Sequence, residues 1–227
     1  MGREEIMEKT QEQEVEKQAI TKTLELAVEI FRSCNSEYRI LGSMLIAAHA
    51  GKVFRHIGDL DVLLDEKSRD CVFEKLRNEG FIIKEKRKIG FRWVEAAREE
   101  YLGFTFLLVG KFSERSFHWR FLRVCELRIK SDYLTPTQYS FGGVSFIGIP
   151  MSSVISGIRQ SFLNPKRKID KEVLREEIGK TEVKAYGNIQ VYIFGIKIPF
   201  LYDTFSFFYN IYGGMRVLFG RKYEIWD

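Results

Sequence analysis

Two aspartates separated by one residue, Asp59 and Asp61, are the side chains of this sequence best suited to chemistry. They lie in an apolar run typical of a buried strand, and side chains two positions apart on a strand point to the same face. Two carboxylates on one face repel each other and are costly to bury unless a cation lies between them. Hard divalent cations prefer such oxygen ligands and often share them with substrate phosphates. The pair therefore predicts a site for Mg²⁺ or Mn²⁺ in which both aspartates are metal ligands.

A Gly-Ser pair, Gly42 and Ser43, precedes the aspartates along the chain. The residues that follow predict a helix that Ser43 caps and that Gly51 ends. Because the N–H groups at a helix N-terminus attract phosphate, Gly42 and Ser43 are predicted to bind a nucleotide; a capping role alone is the alternative. Arg55, in the loop before the aspartates, could donate two hydrogen bonds to a triphosphate or simply be an exposed loop charge. The sequence leaves both roles of Arg55 open.

The order of these features resembles the DNA polymerase β-type nucleotidyltransferase superfamily: a strand, a Gly-Ser turn, a helix, and a strand with Asp-hydrophobic-Asp. The resemblance is to its small minimal, antibiotic-modifying and AbiEii-like members, and it covers residues 38 to about 83 well and continues loosely to about 174. It implies that the Gly-Ser turn holds the phosphates of an NTP and that the paired aspartates hold Mg²⁺. The implied reaction moves an NMP group to an acceptor hydroxyl and releases pyrophosphate. The acceptor could be a sugar, an antibiotic, an RNA end or a protein side chain.

One part of the family pattern is missing. The superfamily places a third acidic residue on a later strand, where it activates the attacking hydroxyl, but the best candidate strand, residues 103 to 110, has no acid. Thr105 falls where that carboxylate is expected, and Glu100 and Glu126 are the available substitutes. An alternative function is therefore an inactive nucleotidyltransferase-like protein that binds nucleotide, RNA or a protein partner.

Composition sets broad bounds on partners and location. The 227 residues are 45% hydrophobic, enough for a real core, and the net charge of +5 suits a polyanion such as NTP or RNA. Basic residues in 120–130 and 164–171 are the candidates for RNA contact.

The sequence has no uncharged apolar run of 18 residues and no signal-peptide pattern, so a cytoplasmic location is expected. Its three cysteines are accordingly expected to be reduced thiols.

The hydrophobic pattern predicts an α/β fold with a mixed sheet flanked by helices. We expect an N-terminal helix in residues 1–35, a nucleotidyltransferase-like domain in 36–178, and an aromatic C-terminal appendage in 186–227. The stretch 164–170 is expected to be a basic loop, and an aromatic helix near 200–211 is expected to end at a Gly-Gly hinge. The appendage could pack on its own core, form a homo-oligomer surface, act as a lid, or lie on a membrane surface.

Overall fold

A computed structural model describes residues 3–88, 91–110, 116–121, 125–182 and 186–223. By internal contacts the chain divides into two compact units. The first unit contains residues 1–86, 93–108 and 137–148, and the second contains 87–92, 109–136 and 149–227. The three-part division expected from the sequence stays a prediction about separately folding parts.

Helices and strands alternate from residue 3 to residue 88, and a run of strands and then a group of helices follow. In chain order they are α1 (Arg3–Ser33), β1 (Tyr38–Ile40), α2 (Ser43–Ala50), β2 (Asp59–Asp65), α3 (Arg69–Asn78), β3 (Ile82–Lys88), β4 (Phe91–Ala97), β5 (Gly103–Val109), β6 (Ser116–Phe121), β7 (Cys125–Lys130), β8 (Thr137–Phe141), β9 (Val144–Gly148), α4 (Met151–Gln160), α5 (Lys166–Val173), α6 (Arg175–Lys180), β10 (Ile189–Ile193), β11 (Ile196–Ile198) and α7 (Leu201–Leu218).

The first unit is built on a seven-stranded sheet with the order β3-β4-β5-β2-β1-β9-β8. β1 and β9 are parallel, with Ile40 opposite Gly148, whereas β1–β2, β4–β5 and β8–β9 are antiparallel. The sheet is therefore mixed, which confirms the predicted fold class. β2 lies between β5 and β1, so its backbone pairs on both sides, and its Leu60, Val62 and Leu64 side chains are fully buried.

α1 packs on this unit through the apolar stripe that its sequence predicts. Ile20, Leu24, Ala27 and Phe31 recur at helical spacing and are at most 1% exposed. The ring of Phe31 packs against the ring of Tyr38, with the ring centroids 4.4 Å apart. A stripe of this kind stabilises a long helix through burial rather than through its own propensity. The remaining faces of α1 are available for polar contacts.

A disulfide links Cys34 and Cys71, so the expectation that both are reduced thiols is wrong. Cys34 directly follows α1 and Cys71 lies in the first turn of α3, and the packing of these two helices brings the Cα atoms to 5.8 Å. The pairing depends on tertiary contact between residues 37 positions apart, which spacing alone does not reveal. Cys125 is a free, half-buried thiol.

The second unit has its own four-stranded sheet, in the order β11-β10-β7-β6. β10 pairs antiparallel with β7, and β11 and β6 complete the sheet on either side. α7 packs against β10. The strands of the C-terminal segment therefore belong to this second sheet rather than to the seven-stranded sheet.

Two local predictions in the second unit are wrong. α5 begins at Lys166, inside the expected basic loop, because the side chain of Asn164 accepts a hydrogen bond of 3.0 Å from the Lys166 N–H. α7 runs through Gly213 and Gly214 with no hinge. The ring of Tyr223 packs on Gly213, where a Cβ would lie only 2.6 Å from a ring carbon, so that glycine serves close packing.

Among the described residues, no helix combines the length and apolar composition needed to cross a bilayer.

Candidate nucleotide and metal site

β2 places both aspartates at the edge of the core. Asp59 opens the strand and is exposed, and Asp61 is half-buried, while the intervening Leu60 and the following Val62 are fully buried. The period-two alternation of a strand puts both carboxylates on the face opposite these apolar side chains. The local pattern that the sequence predicts is thus present, and its assignment to a metal stays a prediction.

The Gly-Ser turn meets the second aspartate. β1 and β2 pair antiparallel with Ile40 opposite Val62, and the Leu41 N–H donates to the Asp61 carbonyl at 2.9 Å. The next residue, Gly42, has φ 70° and ψ −148°, a conformation that is essentially restricted to glycine. A Cβ at Gly42 would lie 2.6 Å from Asp61 Oδ2, so both the backbone angles and the space demand glycine here.

α2 begins at this turn. Gly42 is its N-cap and Ser43 its first helical residue, with no side-chain capping hydrogen bond. The predicted cap by Ser43 is therefore wrong, because the backbone of Gly42 makes the turn into the helix. The end of α2 is as predicted, with Gly51 in the left-handed conformation. The first N–H groups of a helix have no acceptor within it, and in α2 they start beside the Asp61 carboxylate.

Arg55 lies on the loop that leads from α2 into β2. Its Nη1 donates to the carbonyl of His56 at 3.2 Å, and its guanidinium carbon lies 5.4 Å from the centre of the Phe54 ring. These contacts place the guanidinium next to the chain segment that enters the site. Its role in binding a triphosphate stays a prediction.

A threonine contacts the first aspartate. The Thr105 hydroxyl, on β5, donates to Asp59 Oδ2 at 2.6 Å. β5 is the neighbour of β2 in the sheet, so Thr105 stands where the family resemblance implies a third carboxylate. In the part of the chain that the structure describes, no three His, Cys, Asp or Glu side chains form a group that could hold a metal.

Each of the two substitute acids contacts a basic side chain. Glu100 forms an ion pair of 3.3 Å with Lys22 of α1. Glu126 lies on β7 in the second unit and pairs with Arg128 at 3.0 Å. Among the described residues of the first unit, Glu100 does not form a three-ligand group with the aspartates.

Sequence reasoning missed two residues of α1 that contact the chain near the site. Glu16 Oε1 accepts a hydrogen bond of 2.7 Å from the Ile57 N–H, and Thr23 Oγ1 accepts one of 2.9 Å from the Leu102 N–H. Glu16 lies in a highly charged stretch whose residues look uniformly solvent-exposed in the sequence. No local pattern distinguishes it from its neighbours, and only the packing of α1 reveals its partner.

The residues present suit a divalent cation. Asp59 and Asp61 offer carboxylate oxygens, the ligand type that Mg²⁺ and Mn²⁺ prefer, and the space over Gly42 that a side chain would fill lies against Asp61 Oδ2. The site also lies next to a helix N-terminus that favours phosphate. Two carboxylates, one of them on an exposed residue, match a metal that completes its coordination with substrate oxygens.

The mixed sheet, the glycine turn and the strand with two aspartates are those expected of a nucleotidyltransferase-like fold, and comparison with solved structures confirms the predicted fold. The chain is similar to the lincosamide antibiotic adenylyltransferase LnuA, determined with lincomycin bound, with a TM-score of 0.57 and 18% identity over 68% of this chain and 95% of that one. It is also similar to the antibiotic-resistance factor ANT(2'')-Ia, with a TM-score of 0.50 and 13% identity over 70% of this chain and 89% of that one.

At these identities the likeness concerns the fold alone. No protein-family model matches the chain, and no curated protein matches its sequence.

Proposed function

We propose that this protein transfers an NMP group from an NTP to an acceptor hydroxyl and releases pyrophosphate. The observation that carries the proposal is the closeness of Asp61 Oδ2 to Gly42, where a Cβ would lie only 2.6 Å from that oxygen. It sets one of the two carboxylates beside a helix N-terminus, which favours phosphate. The fold shared with an antibiotic adenylyltransferase and an antibiotic-resistance factor is in accord with this proposal.

The side chains of the site have distinct roles in this proposal. Asp59 and Asp61 hold Mg²⁺ or Mn²⁺, which when bound neutralises charge on the triphosphate and on the leaving pyrophosphate. The Gly42 turn and the N–H groups of Ser43 and its neighbour bind phosphate oxygens, and the Arg55 guanidinium adds a positive charge. Together these groups hold the nucleotide in a fixed orientation, which is the main requirement of phosphoryl chemistry.

The acceptor is proposed to be a small molecule with a free hydroxyl. The two structural neighbours are described as acting on, or giving resistance to, antibiotics, and an antibiotic is one acceptor to test. The cytoplasm, where NTPs are made, is the proposed location. The Cys34–Cys71 disulfide argues against the cytoplasm, because disulfides are most common in oxidising compartments. Intracellular proteins of hyperthermophiles also contain disulfides.

A second function, nucleotide binding without turnover, is favoured by one observation. Thr105 occupies the place of the third carboxylate, and its hydroxyl already donates its proton to Asp59 at 2.6 Å. A neutral hydroxyl is a poor base for the proton of an acceptor at pH 7. In this case the protein binds NTP and metal, but a nucleotidyl product does not accumulate.

One experiment separates the two functions. The protein is incubated with each α-labelled NTP and Mg²⁺, with a panel of antibiotics, sugars and RNA, and with a cell extract, and both labelled product and pyrophosphate are measured. Transfer predicts both products from the wild-type protein and neither from a variant with Asp59→Asn and Asp61→Asn. NTP binding by calorimetry without any labelled product or pyrophosphate would contradict the transfer reaction and support the second function.

A further inference from the structure

α1 forms hydrogen bonds to the residues just before β2 and β5, the two strands that carry Asp59 and Thr105. Glu16 Oε1 accepts the Ile57 N–H at 2.7 Å, two residues before Asp59 on β2. Thr23 Oγ1 accepts the Leu102 N–H at 2.9 Å, three residues before Thr105 on β5. Each strand is therefore attached to the same helix just before its site residue.

The Thr23–Leu102 contact is buried, and the Glu16–Ile57 contact is partly buried. The Glu16 side chain is 20% exposed, and Ile57, whose N–H it accepts, is 1% exposed. Thr23 is fully buried, and its hydroxyl donates in turn to the Ala19 carbonyl at 2.7 Å, so the oxygen is fixed as an acceptor for Leu102. Buried N–H groups are costly to leave without an acceptor, so both bonds resist opening.

The two acceptors lie seven residues apart, which is two helical turns, and so share one side of α1. Glu16 makes a second contact, to His56 Nδ1 at 3.0 Å, which fixes the residue before Ile57 as well. The two strands are also linked to each other, because the Thr105 hydroxyl of β5 donates to the Asp59 carboxylate of β2. Hydrogen bonds therefore link α1 to the residue before β2, β2 to β5, and the residue before β5 back to α1.

We propose that Glu16 and Thr23 are positioning residues. By binding the residues just before β2 and β5 to one helix, they hold the Asp59 carboxylate next to the Thr105 hydroxyl. This inference rests on the proposed function, because it assigns these hydrogen bonds a purpose in nucleotide chemistry. It also makes α1 a part of the site rather than a separate extension. A carboxylate that must hold a cation needs a supporting shell of this kind to stay within a fraction of an ångström.

The first test is amide hydrogen exchange by NMR on the full chain. Glu16→Ala is expected to speed exchange at Ile57 about tenfold while Leu102 stays protected, since a hydrogen bond to a charged acceptor contributes that much. Thr23→Val, or Thr23→Ala if the valine variant does not fold, is expected to give the reverse pattern. Glu16→Gln and Thr23→Ser keep an acceptor and should stay close to wild type, as should Glu25→Ala, an exposed glutamate of the same helix.

The second test is kinetic. Nucleotidyl transfer in Glu16→Ala and Thr23→Val is expected to lose about tenfold or more in kcat with little change in KM for NTP, and Glu16→Gln and Thr23→Ser should restore it. Unchanged exchange at Ile57 in Glu16→Ala would overturn the inference whatever the activity. If the wild-type protein shows no transfer, the proposed function fails, and the positioning role is then decided by whether Mn²⁺ binding weakens in Glu16→Ala but not in Glu16→Gln or Glu25→Ala.

Discussion

The carboxylate of Asp61 lies where a side chain at Gly42 would begin, since a Cβ there would be 2.6 Å from Asp61 Oδ2. The relationship follows from the antiparallel pairing of β1 and β2, which brings the end of the first strand beside the start of the second. It joins the element suited to phosphate to the element suited to a cation.

Gly42→Ala is expected to destabilise the protein by about 2–4 kcal/mol and to abolish NTP binding, because the new methyl group overlaps a carboxylate and φ is 70°. Gly51→Ala is the matched control. Gly51 has φ 67° but no atom within 4 Å of its Cβ position, so it should cost only about 1 kcal/mol and leave binding intact. Denaturant unfolding and calorimetry measure both effects. Equal losses in the two variants would show that Asp61 does not limit the space at Gly42.

The double variant with Asp59→Asn and Asp61→Asn is expected to lose the rise in Tm that Mg²⁺ or Mn²⁺ with an NTP gives the wild-type protein. A ligand that binds only the native state stabilises it by mass action, and the amides replace both charged ligands with little change in shape. Asp70→Asn, an exposed residue of α3, is the control and should keep the rise. A rise of unchanged size in the double variant would remove the aspartates from the metal site.

Thr105→Asp is expected to increase metal affinity and transfer rate, because it adds a third carboxylate beside Asp59 at the position that now holds a hydroxyl. Thr105→Val keeps the shape but removes the hydrogen bond to Asp59, and it should weaken metal binding moderately. The two variants are compared by Mn²⁺ titration and by release of pyrophosphate. If the aspartate variant binds metal no better than the valine variant, Thr105 does not face the metal position.

Removal of the disulfide by Cys34→Ser with Cys71→Ser is expected to lower the free energy of unfolding by about 4 kcal/mol, the chain-entropy value for a loop closed across 37 residues. Reduction of the wild-type protein should give a similar loss. Cys125→Ser, at the free thiol, should have a much smaller effect. Urea unfolding with and without reductant measures the difference, and equal stability under both conditions would argue against the bond.

The exposed aromatic side of α7 is expected to form a homo-oligomer contact, which is one of the four alternatives that the sequence left open. Phe205 is 54% exposed and Phe208 62% exposed, a large apolar area for a helix that also packs on β10. Phe205→Ser with Phe208→Ser should lower the mass seen by sedimentation. Phe194→Ser, at an exposed phenylalanine outside α7, is the control. A monomeric wild-type protein would contradict the expected contact.

The sequence predicted the fold well where the signal is local and periodic. The apolar stripe of α1, the alternation around Asp59 and Asp61, and the glycine at the end of α2 all follow from spacing within a few residues. The same holds for the α/β class and the family likeness, because the Gly-Ser turn and the paired aspartates lie in one continuous stretch.

The failures have a common physical cause, which is that they depend on contacts between distant residues. The Cys34–Cys71 bond and the acceptor role of Glu16 exist only because α1 packs where it does. The missing hinge at Gly213 has the same origin, since the ring of Tyr223 fills the space that the glycine leaves. Thr105 is an intermediate case: its position was predicted, but its hydrogen bond to Asp59 required the pairing order of the sheet.

The disulfide also determines what a protease can separate. The covalent loop between Cys34 and Cys71 encloses Gly42, Arg55 and both aspartates, so a cut at the exposed stretch around Gly51 leaves two pieces that are still joined. On a non-reducing gel the nicked chain should run as one band, and only reductant should release the fragments. Because the strands on either side of the cut also stay paired, a nicked protein can keep its complete candidate site until the bond is reduced.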